Sequence, residues 1–331
     1  MRPFAYERAQ TSAEAVERGS GPSAAFLAGG TTLIDLAKLE VMQPERIVDI
    51  TPLREVEGEY GTIRADRDGL SLGALVRMAD AAEHPAILRD YPAIAQSLRL
   101  AASPQIRAMA TLGGNVLQRT RCTYFRDRTW SACNKREAGS GCAALQGVNR
   151  RHAVLGTSAR CIAAYAGDFG HALVALDARV DIDGARGRRT IPFEELHRLP
   201  GETPHLETTL EHGELLAGFT IPAAPWTRRS LFLKIRDRQA YDFALASAVV
   251  ALDLHRGVVR EARIALGGVS TKPWRAREAE GALRDRKLDA AAAQNAAEIA
   301  FADARTSGDN NFKAELGRRT LVRALLEAAA L

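Results

Sequence analysis

Residues 27–33, Leu-Ala-Gly-Gly-Thr-Thr-Leu, decide the fold at the start of the chain. They follow a short apolar run at residues 24–27, which has the length of a buried strand, and they precede helical spacing at residues 33–39. A second apolar run at residues 46–50 predicts another strand. Two strands with a helix between them predict a βαβ unit, and therefore a small parallel sheet.

The two glycines of this stretch predict a phosphate-binding turn. Glycines let successive backbone N–H groups point into one concavity, and such a nest at a helix N-terminus binds phosphate. Residues 111–115, Thr-Leu-Gly-Gly-Asn, repeat the arrangement. Neither stretch is a G-x-G-x-x-G fingerprint or a P-loop, so each alone is also compatible with a plain tight turn. Two of them together suit a cofactor that contains a pyrophosphate.

The composition indicates a soluble globular protein of two or three compact units. The chain has 331 residues, of which 46% are hydrophobic and 26% are charged. Its longest apolar run, near residues 243–252, is about half of what a membrane-spanning helix needs. The first residues lack the apolar segment of a signal peptide, so none is expected. The basic residues are scattered among acids without interleaved aromatics, which argues against nucleic-acid binding.

Four cysteines, Cys122, Cys133, Cys142 and Cys161, lie within 40 residues, and the chain has no others. The segment 119–164 that contains them has nine basic and two acidic side chains, whereas the whole chain has a net charge of +5. Three interpretations compete. Two disulfides would suit an oxidising compartment, structural zinc usually shows C-x₂₋₄-C pairs that are absent here, and an iron–sulfur cluster needs four thiolates, with more variable spacing. The positive excess favours a cluster, which is anionic.

Other catalytic motifs are absent from the sequence. The seven histidines form no H-E-x-x-H motif, and there is no G-x-S-x-G. Nothing in the chain resembles a hydrolase or a self-contained metal enzyme.

The two Gly-Gly stretches resemble the FAD pyrophosphate loops of the flavoprotein subunits of molybdenum hydroxylases, a family that includes xanthine dehydrogenase and carbon monoxide dehydrogenase. Gly167-Asp168 resembles the family's next cofactor contact, and the leucine pair at residues 215–216 and Lys234 resemble contacts nearer the flavin. The resemblance covers essentially the whole chain. It implies FAD contacts at Phe26, Leu27, Ala28, Gly29, Gly30, Thr31, Thr32, Leu33, Ala101, Thr111, Gly114, Asn115, Leu117, Asp168, Leu215, Leu216 and Lys234.

The resemblance also implies an α+β fold in three parts. These are a FAD-binding domain of the PCMH/vanillyl-alcohol-oxidase type, with α/β subdomains at residues 1–57 and 58–222, and a C-terminal α+β domain at residues 228–331. The last is an antiparallel sheet with helices, like the C-terminal domain of the carbon monoxide dehydrogenase flavoprotein. The insertion at residues 119–164 resembles that of bacterial periplasmic aldehyde oxidoreductases. It implies that the four cysteines bind a [4Fe-4S] cluster.

The implied function is electron transfer within a molybdenum-dependent aldehyde oxidoreductase. Partners would be a large molybdenum-cofactor subunit, a small [2Fe-2S] subunit and an external electron acceptor, with no nucleic acid and no membrane span. No residue of this chain is expected to be catalytic toward the aldehyde. Export to the periplasm with a partner is expected, with the cytoplasm as the alternative. Two other functions remain open: a free-standing FAD oxidase of the vanillyl-alcohol-oxidase type, and a non-enzymatic iron–sulfur redox protein.

Overall fold

The computed structural model describes all residues 1–331 and contains three sheets, each with its own helices. The first sheet is parallel in the order β1-β3-β2, as the βαβ pattern predicts. Its elements are β1 (Ala5–Arg8), α1 (Ser12–Gly19), β2 (Ala24–Leu27), α2 (Leu33–Lys38), β3 (Arg46–Asp49) and α3 (Leu53–Val56). Helix α1 begins at Thr11, whose hydroxyl accepts a hydrogen bond from the Glu14 N–H at 3.2 Å.

The second sheet has five antiparallel strands in the order β4-β5-β8-β6-β7. A group of short helices fills the long connection between β5 and β6, and three of them begin with proline at the first helical turn. The elements are β4 (Ile63–Asp66), β5 (Gly69–Gly73), α4 (Met78–Glu83), α5 (Pro85–Asp90), α6 (Pro92–Arg99), α7 (Pro104–Met109), α8 (Leu112–Val116), α9 (Thr123–Arg126), α10 (Phe169–Ala175), β6 (Arg179–Gly184), β7 (Gly187–Pro192) and β8 (Leu215–Pro222).

The third sheet is antiparallel, in the order β12-β11-β10-β9, and it is covered on both faces. On β10, Val249 and Ala251 belong to the core shared with the second sheet, whereas Ala248 and Val250 pack under the C-terminal helices. This explains why β10 reads as a continuous apolar run rather than an alternating one. The elements are β9 (Ser230–Ile235), β10 (Ala246–His255), β11 (Val258–Gly267), β12 (Trp274–Arg275), α11 (Arg277–Leu283), α12 (Ala290–Ala300) and α13 (Phe312–Ala329).

The cysteine-containing insertion has little regular structure and is held by its neighbours. Asn149 and Asp309 exchange hydrogen bonds between the insertion and the segment before α13, and Asn310 donates to the Ala153 carbonyl at 3.1 Å. The ammonium of Lys313, on α13, is fully buried and donates to the carbonyls of residues 151, 152 and 268. The C-terminal helix therefore anchors the insertion. None of the helices is both long and apolar enough to span a membrane.

A buried histidine between α10 and the third sheet makes stability depend on pH. Burial lowers the pKa of His171, on α10, to about 4 from its ordinary 6.5. The unfolded chain therefore takes up this proton first as the pH falls, so the group removes stability between about pH 6.5 and pH 4. A shift of this size corresponds to roughly 3 kcal/mol. We expect His171→Asn to lose less stability than the wild type between pH 7 and pH 4.5, measured by urea unfolding. Equal losses in the two proteins would contradict this assignment.

Candidate functional site

The first Gly-Gly stretch is a close approach between two backbone segments. A Cβ atom on Gly29 would lie 2.2 Å from the Met109 carbonyl oxygen and 2.9 Å from the Ala110 Cα. Gly30 follows in the left-handed region, with φ of +72°. Only glycine at position 29 therefore allows the turn between β2 and α2 to lie directly against the end of α7.

The second Gly-Gly stretch is the first turn of a short helix rather than the open loop that the sequence suggests. The Thr111 hydroxyl caps α8 by accepting from the Gly114 N–H at 3.2 Å. The Asn115 amide nitrogen donates to the Met78 sulfur at 3.4 Å, and its buried oxygen has no partner. A buried, unpartnered amide oxygen beside a helix N-terminus suits a polar ligand.

Two cavities meet between these stretches. The larger, called the polar cavity below, has a volume of about 530 Å³, and the smaller, called the apolar cavity, has about 270 Å³. Thr31, Thr32 and Gly114 line both. The two Gly-Gly stretches therefore lie where the cavities join.

The structure brings sixteen of the seventeen expected FAD contacts to these cavities. Those on the apolar cavity are Phe26, Ala28, Gly29, Gly30, Thr31, Thr32, Leu33, Thr111, Gly114, Leu117, Leu215 and Leu216. Those on the polar cavity include Ala101, Asn115, Asp168 and Lys234. Leu27 lines neither cavity, and its backbone pairs with Asp49 of β3.

Asp168 and Lys234 form a buried ion pair in the wall of the polar cavity. Their charged atoms lie 2.6 Å apart, and the side chains are 6% and 2% exposed. Lys234 also donates to the Leu100 carbonyl at 3.1 Å. Burial raises the pKa of Asp168, although the charge of Lys234 opposes this. The pair fixes the start of α10 against β9.

The polar cavity also has a cationic and aromatic side, whose residues were not predicted as part of the site. Arg121, Arg126, Arg151 and Arg238 line it, together with the aromatic side chains of Tyr241 and Phe243. Arg121 and Arg126 both pair with Asp35 of α2, at 3.2 and 2.7 Å. For the three arginines of the insertion, the excess of positive charge in residues 119–164 was the sequence signal that could have indicated this role.

Many arginines of the insertion form ion pairs with acids outside it, so their positive charge is not available to the cysteines alone. The pairs include Arg119 with Glu207, Arg128 with Glu40, Arg151 with Asp242 and Arg160 with Glu202.

The four cysteines lie together around one small cavity. Cys122, Cys133, Cys142 and Cys161 all line a space of about 10 Å³, and none is in a disulfide. A hydrogen bond from Cys161 lowers the pKa of Cys142, whereas burial raises that of Cys122 to about 11. The His152 Nε2 lies 3.2 Å from the Cys122 sulfur. No group of three or more His, Cys, Asp or Glu side chains is arranged to hold a metal ion.

The residues around the joined cavities fit a flavin dinucleotide. The apolar cavity suits one ring system, and the glycine turns with their threonines suit the diphosphate. The cations, the aromatic side chains and the unpartnered Asn115 oxygen suit the other, more polar ring system. The fold and the site therefore define a FAD-binding flavoprotein.

Comparison with known proteins identifies the family. Residues 2–224 match the FAD binding domain in molybdopterin dehydrogenase, and residues 232–330 match the CO dehydrogenase flavoprotein C-terminal domain. The chain belongs to the FAD-binding subunits of the xanthine dehydrogenase/carbon monoxide dehydrogenase family, and it is a subunit of an oxidoreductase. The expected family, the α+β fold class and the FAD cofactor are thus confirmed.

Individual relatives match this chain over nearly all of their length. The aldehyde oxidoreductase FAD-binding subunit PaoB of Escherichia coli (strain K12) is 43% identical over 100% of this chain and 99% of its own. The carbon monoxide dehydrogenase medium chain of Hydrogenophaga pseudoflava is 24% identical over 94% and 91%. The structure of reconstituted CO dehydrogenase from Oligotropha carboxidovorans superposes with a TM-score of 0.76 at 25% identity, covering 100% of this chain and 99% of that one. None of these three is described as a free-standing oxidase or as a non-enzymatic protein.

Proposed function

We propose that this chain is the FAD- and [4Fe-4S]-carrying electron-transfer subunit of a molybdenum-dependent aldehyde oxidoreductase. In this proposal a large subunit with the molybdenum cofactor oxidises the aldehyde. Electrons pass through the [2Fe-2S] clusters of a small subunit to this chain, and then to an external acceptor. The observation that carries the proposal is the convergence of all four cysteines next to the flavin cavities, in a chain 43% identical to an aldehyde oxidoreductase subunit.

The proposed cluster site draws support from the number and position of the thiols. A [4Fe-4S] cluster takes one cysteine per iron, and this insertion supplies four. The cysteine side chains are not arranged to hold a metal ion in this structure, and the cavity between them is smaller than an inorganic cluster. The proposal therefore requires the cysteine segments to separate when a cluster binds.

A third cavity, of about 290 Å³, joins the cysteines to the flavin site. Cys122 and His152 line one part of it, and Asp168 and Phe243 line both this cavity and the polar cavity. FAD, when bound, accepts and releases one or two electrons, and the chain's role is to hold and tune it. Asp168 and Lys234 form a fixed pair of opposite charges in the wall of the polar cavity, and Phe243 lines the same cavity, so these residues would contact a flavin bound there. Because Cys122 lines this third cavity, which shares wall residues with the polar cavity, the two proposed cofactors would occupy neighbouring sites, and this supports transfer between them.

An absorption spectrum with iron, sulfide, zinc and flavin quantified tests the proposal. The purified chain should contain about one flavin and about four iron and four sulfide per chain. Cys142→Ser should lose most of the iron and sulfide but keep its flavin, because Cys142 lies outside both flavin cavities. Ser131→Ala, in the same insertion and with an exposed side chain, is the matched control and should keep both.

The outcomes separate the two cofactors. Flavin without iron and sulfide in the wild type would refute the cluster and leave the flavin site standing. Zinc in place of iron would favour a structural zinc site. A protein that binds neither flavin nor iron would refute the whole proposal.

We also propose that the chain reaches the periplasm by co-export with a partner subunit. The likeness to an aldehyde oxidoreductase subunit and the resemblance of the insertion support this proposal. Cell fractionation tests it: the chain should be periplasmic when its partners are co-expressed and cytoplasmic when it is expressed alone. A cytoplasmic location in both cases would contradict it.

A further inference from the structure

A cavity of about 350 Å³ adjoins the cysteine cavity and both flavin cavities. It shares Lys135, Cys161 and Ala163 with the cysteine cavity, Leu117 and Arg119 with the apolar cavity, and Gln118 with the polar cavity. Most of its remaining wall comes from the insertion and from the segments around residues 197–210 and 271–272. Its volume falls within the range of small-molecule sites.

The charges that line this cavity are mostly positive. Arg119, Lys135, Arg198 and Lys272 line it, against a single acid, Glu207. Arg119 and Lys135 both lie close to Glu207, at 2.6 and 3.6 Å, so this carboxylate is already shared between two cations. The cavity therefore holds more positive than negative charge, with no acid left for the other two cations.

Lys272 and Arg198 have no carboxylate partner anywhere in the chain. The Lys272 ammonium contacts only the backbone carbonyls of Glu194 and His197, at 3.3 and 3.4 Å. The ammonium has three hydrogens, and these two carbonyls accept two of them, so it can donate to one further acceptor. Burial lowers the pKa of Lys272, although the more distant charge of Glu194, which is itself paired with Arg277, opposes this; an anion beside the ammonium would favour the charged form. The exposed Arg198 side chain forms no ion pair.

An uncompensated, half-buried cation is an unfavourable arrangement unless something neutralises it. The rest of the wall is mixed, with apolar residues such as Leu206, Leu210 and Pro200 beside uncharged polar side chains. We propose that this cavity is a second ligand site, which binds the oxyanion group of a small molecule between Lys272 and Arg198. The shared chemistry is a carboxylate or phosphate head beside a small apolar part.

Isothermal titration calorimetry on the flavin-loaded full chain, at constant chloride concentration, tests the site. The two probes are inorganic phosphate and benzoate. We expect saturable binding of at least one probe with one site per chain. Phosphate alone would assign a phosphate site, and benzoate binding would assign a carboxylate site that uses the apolar wall. No saturable heat with either probe would overturn the proposal.

Three variants locate the binding. Arg198→Gln should weaken it about tenfold, the effect of losing one charge-assisted hydrogen bond, and it should fold normally because Arg198 is exposed. Lys272→Gln should weaken it at least as much. Arg67→Gln, at a side chain that is 92% exposed and far from the cavity in sequence, is the matched control and should bind like the wild type. Wild-type affinity in both cavity variants would place the bound anion elsewhere and refute the site.

Discussion

Replacing Gly29 by valine should yield a chain that purifies with at least about tenfold less flavin. The Cβ of any residue here would lie 2.2 Å from the Met109 carbonyl oxygen and 2.9 Å from the Ala110 Cα. Both are backbone atoms that cannot rotate away, so the two segments must separate. Overpacking of this kind typically costs about 1–3 kcal/mol of stability. The larger effect is on flavin binding, because these segments form the junction of the two cavities.

The measurement is the flavin-to-protein absorbance ratio after gel filtration, with circular dichroism to confirm folding. Gly281→Ala is the matched control, because that glycine lies in helix α11 and a Cβ there meets nothing within 4 Å. It should keep its flavin and gain about 0.5–1 kcal/mol of stability. A folded Gly29→Val protein with full flavin would show that the contact between the two segments does not shape the site.

Replacing Lys313 by methionine should lower the free energy of unfolding by about 3 kcal/mol or more. The ammonium donates to the carbonyls of Arg151, His152 and Gly268 at 3.2, 3.0 and 2.5 Å. Methionine fills a similar volume but leaves all three buried oxygens without a donor. Each unsatisfied group costs about 1–3 kcal/mol, partly offset by no longer burying a charge.

Thermal and urea unfolding measure this loss, with Lys287→Met as the matched control at an exposed lysine. The control should stay within about 0.5 kcal/mol of the wild type. The Lys313 variant should also show faster hydrogen exchange in the insertion, because two of the three carbonyls belong to it. Wild-type stability in Lys313→Met would mean that the three carbonyls find other donors.

The sequence predicted those parts of the site that depend on local chemistry. The turn at residues 27–33 could be recognised because its two glycines lie between an apolar run and helical spacing, and because residues 111–115 repeat the arrangement. The four cysteines could be grouped because no others exist in the chain. In both cases a short stretch contains the whole signal.

Features that depend on distant pairing could not be predicted. Asp168 was expected from its resemblance to a cofactor contact. Its ion pair with Lys234, 66 residues away, depends on the tertiary structure and could not be predicted from the sequence. The same holds for Asp35 and its two arginines in the insertion. Spacing along the chain says nothing about which side chains face each other across a cavity.

One helix boundary shows how tertiary pairing overrides local preference. The spacing at residues 75–82 is typical of a helix, but α4 begins only at Met78. The Leu75 N–H donates to the Tyr60 carbonyl at 2.8 Å, and the Val76 carbonyl accepts from the Leu112 N–H at 2.9 Å. These long-range bonds hold residues 74–76 in a turn instead of a helix, and they fix the start of α8 against it.

The two arginines that join the insertion to α2 have a consequence for how such proteins can be altered. Arg121 and Arg126 belong to the insertion, yet they form part of the polar cavity's wall and pair with Asp35. Excising residues 119–164 would therefore remove part of this wall and open the flavin cavity to solvent. The segment has become part of the flavin domain's architecture and is not a detachable module.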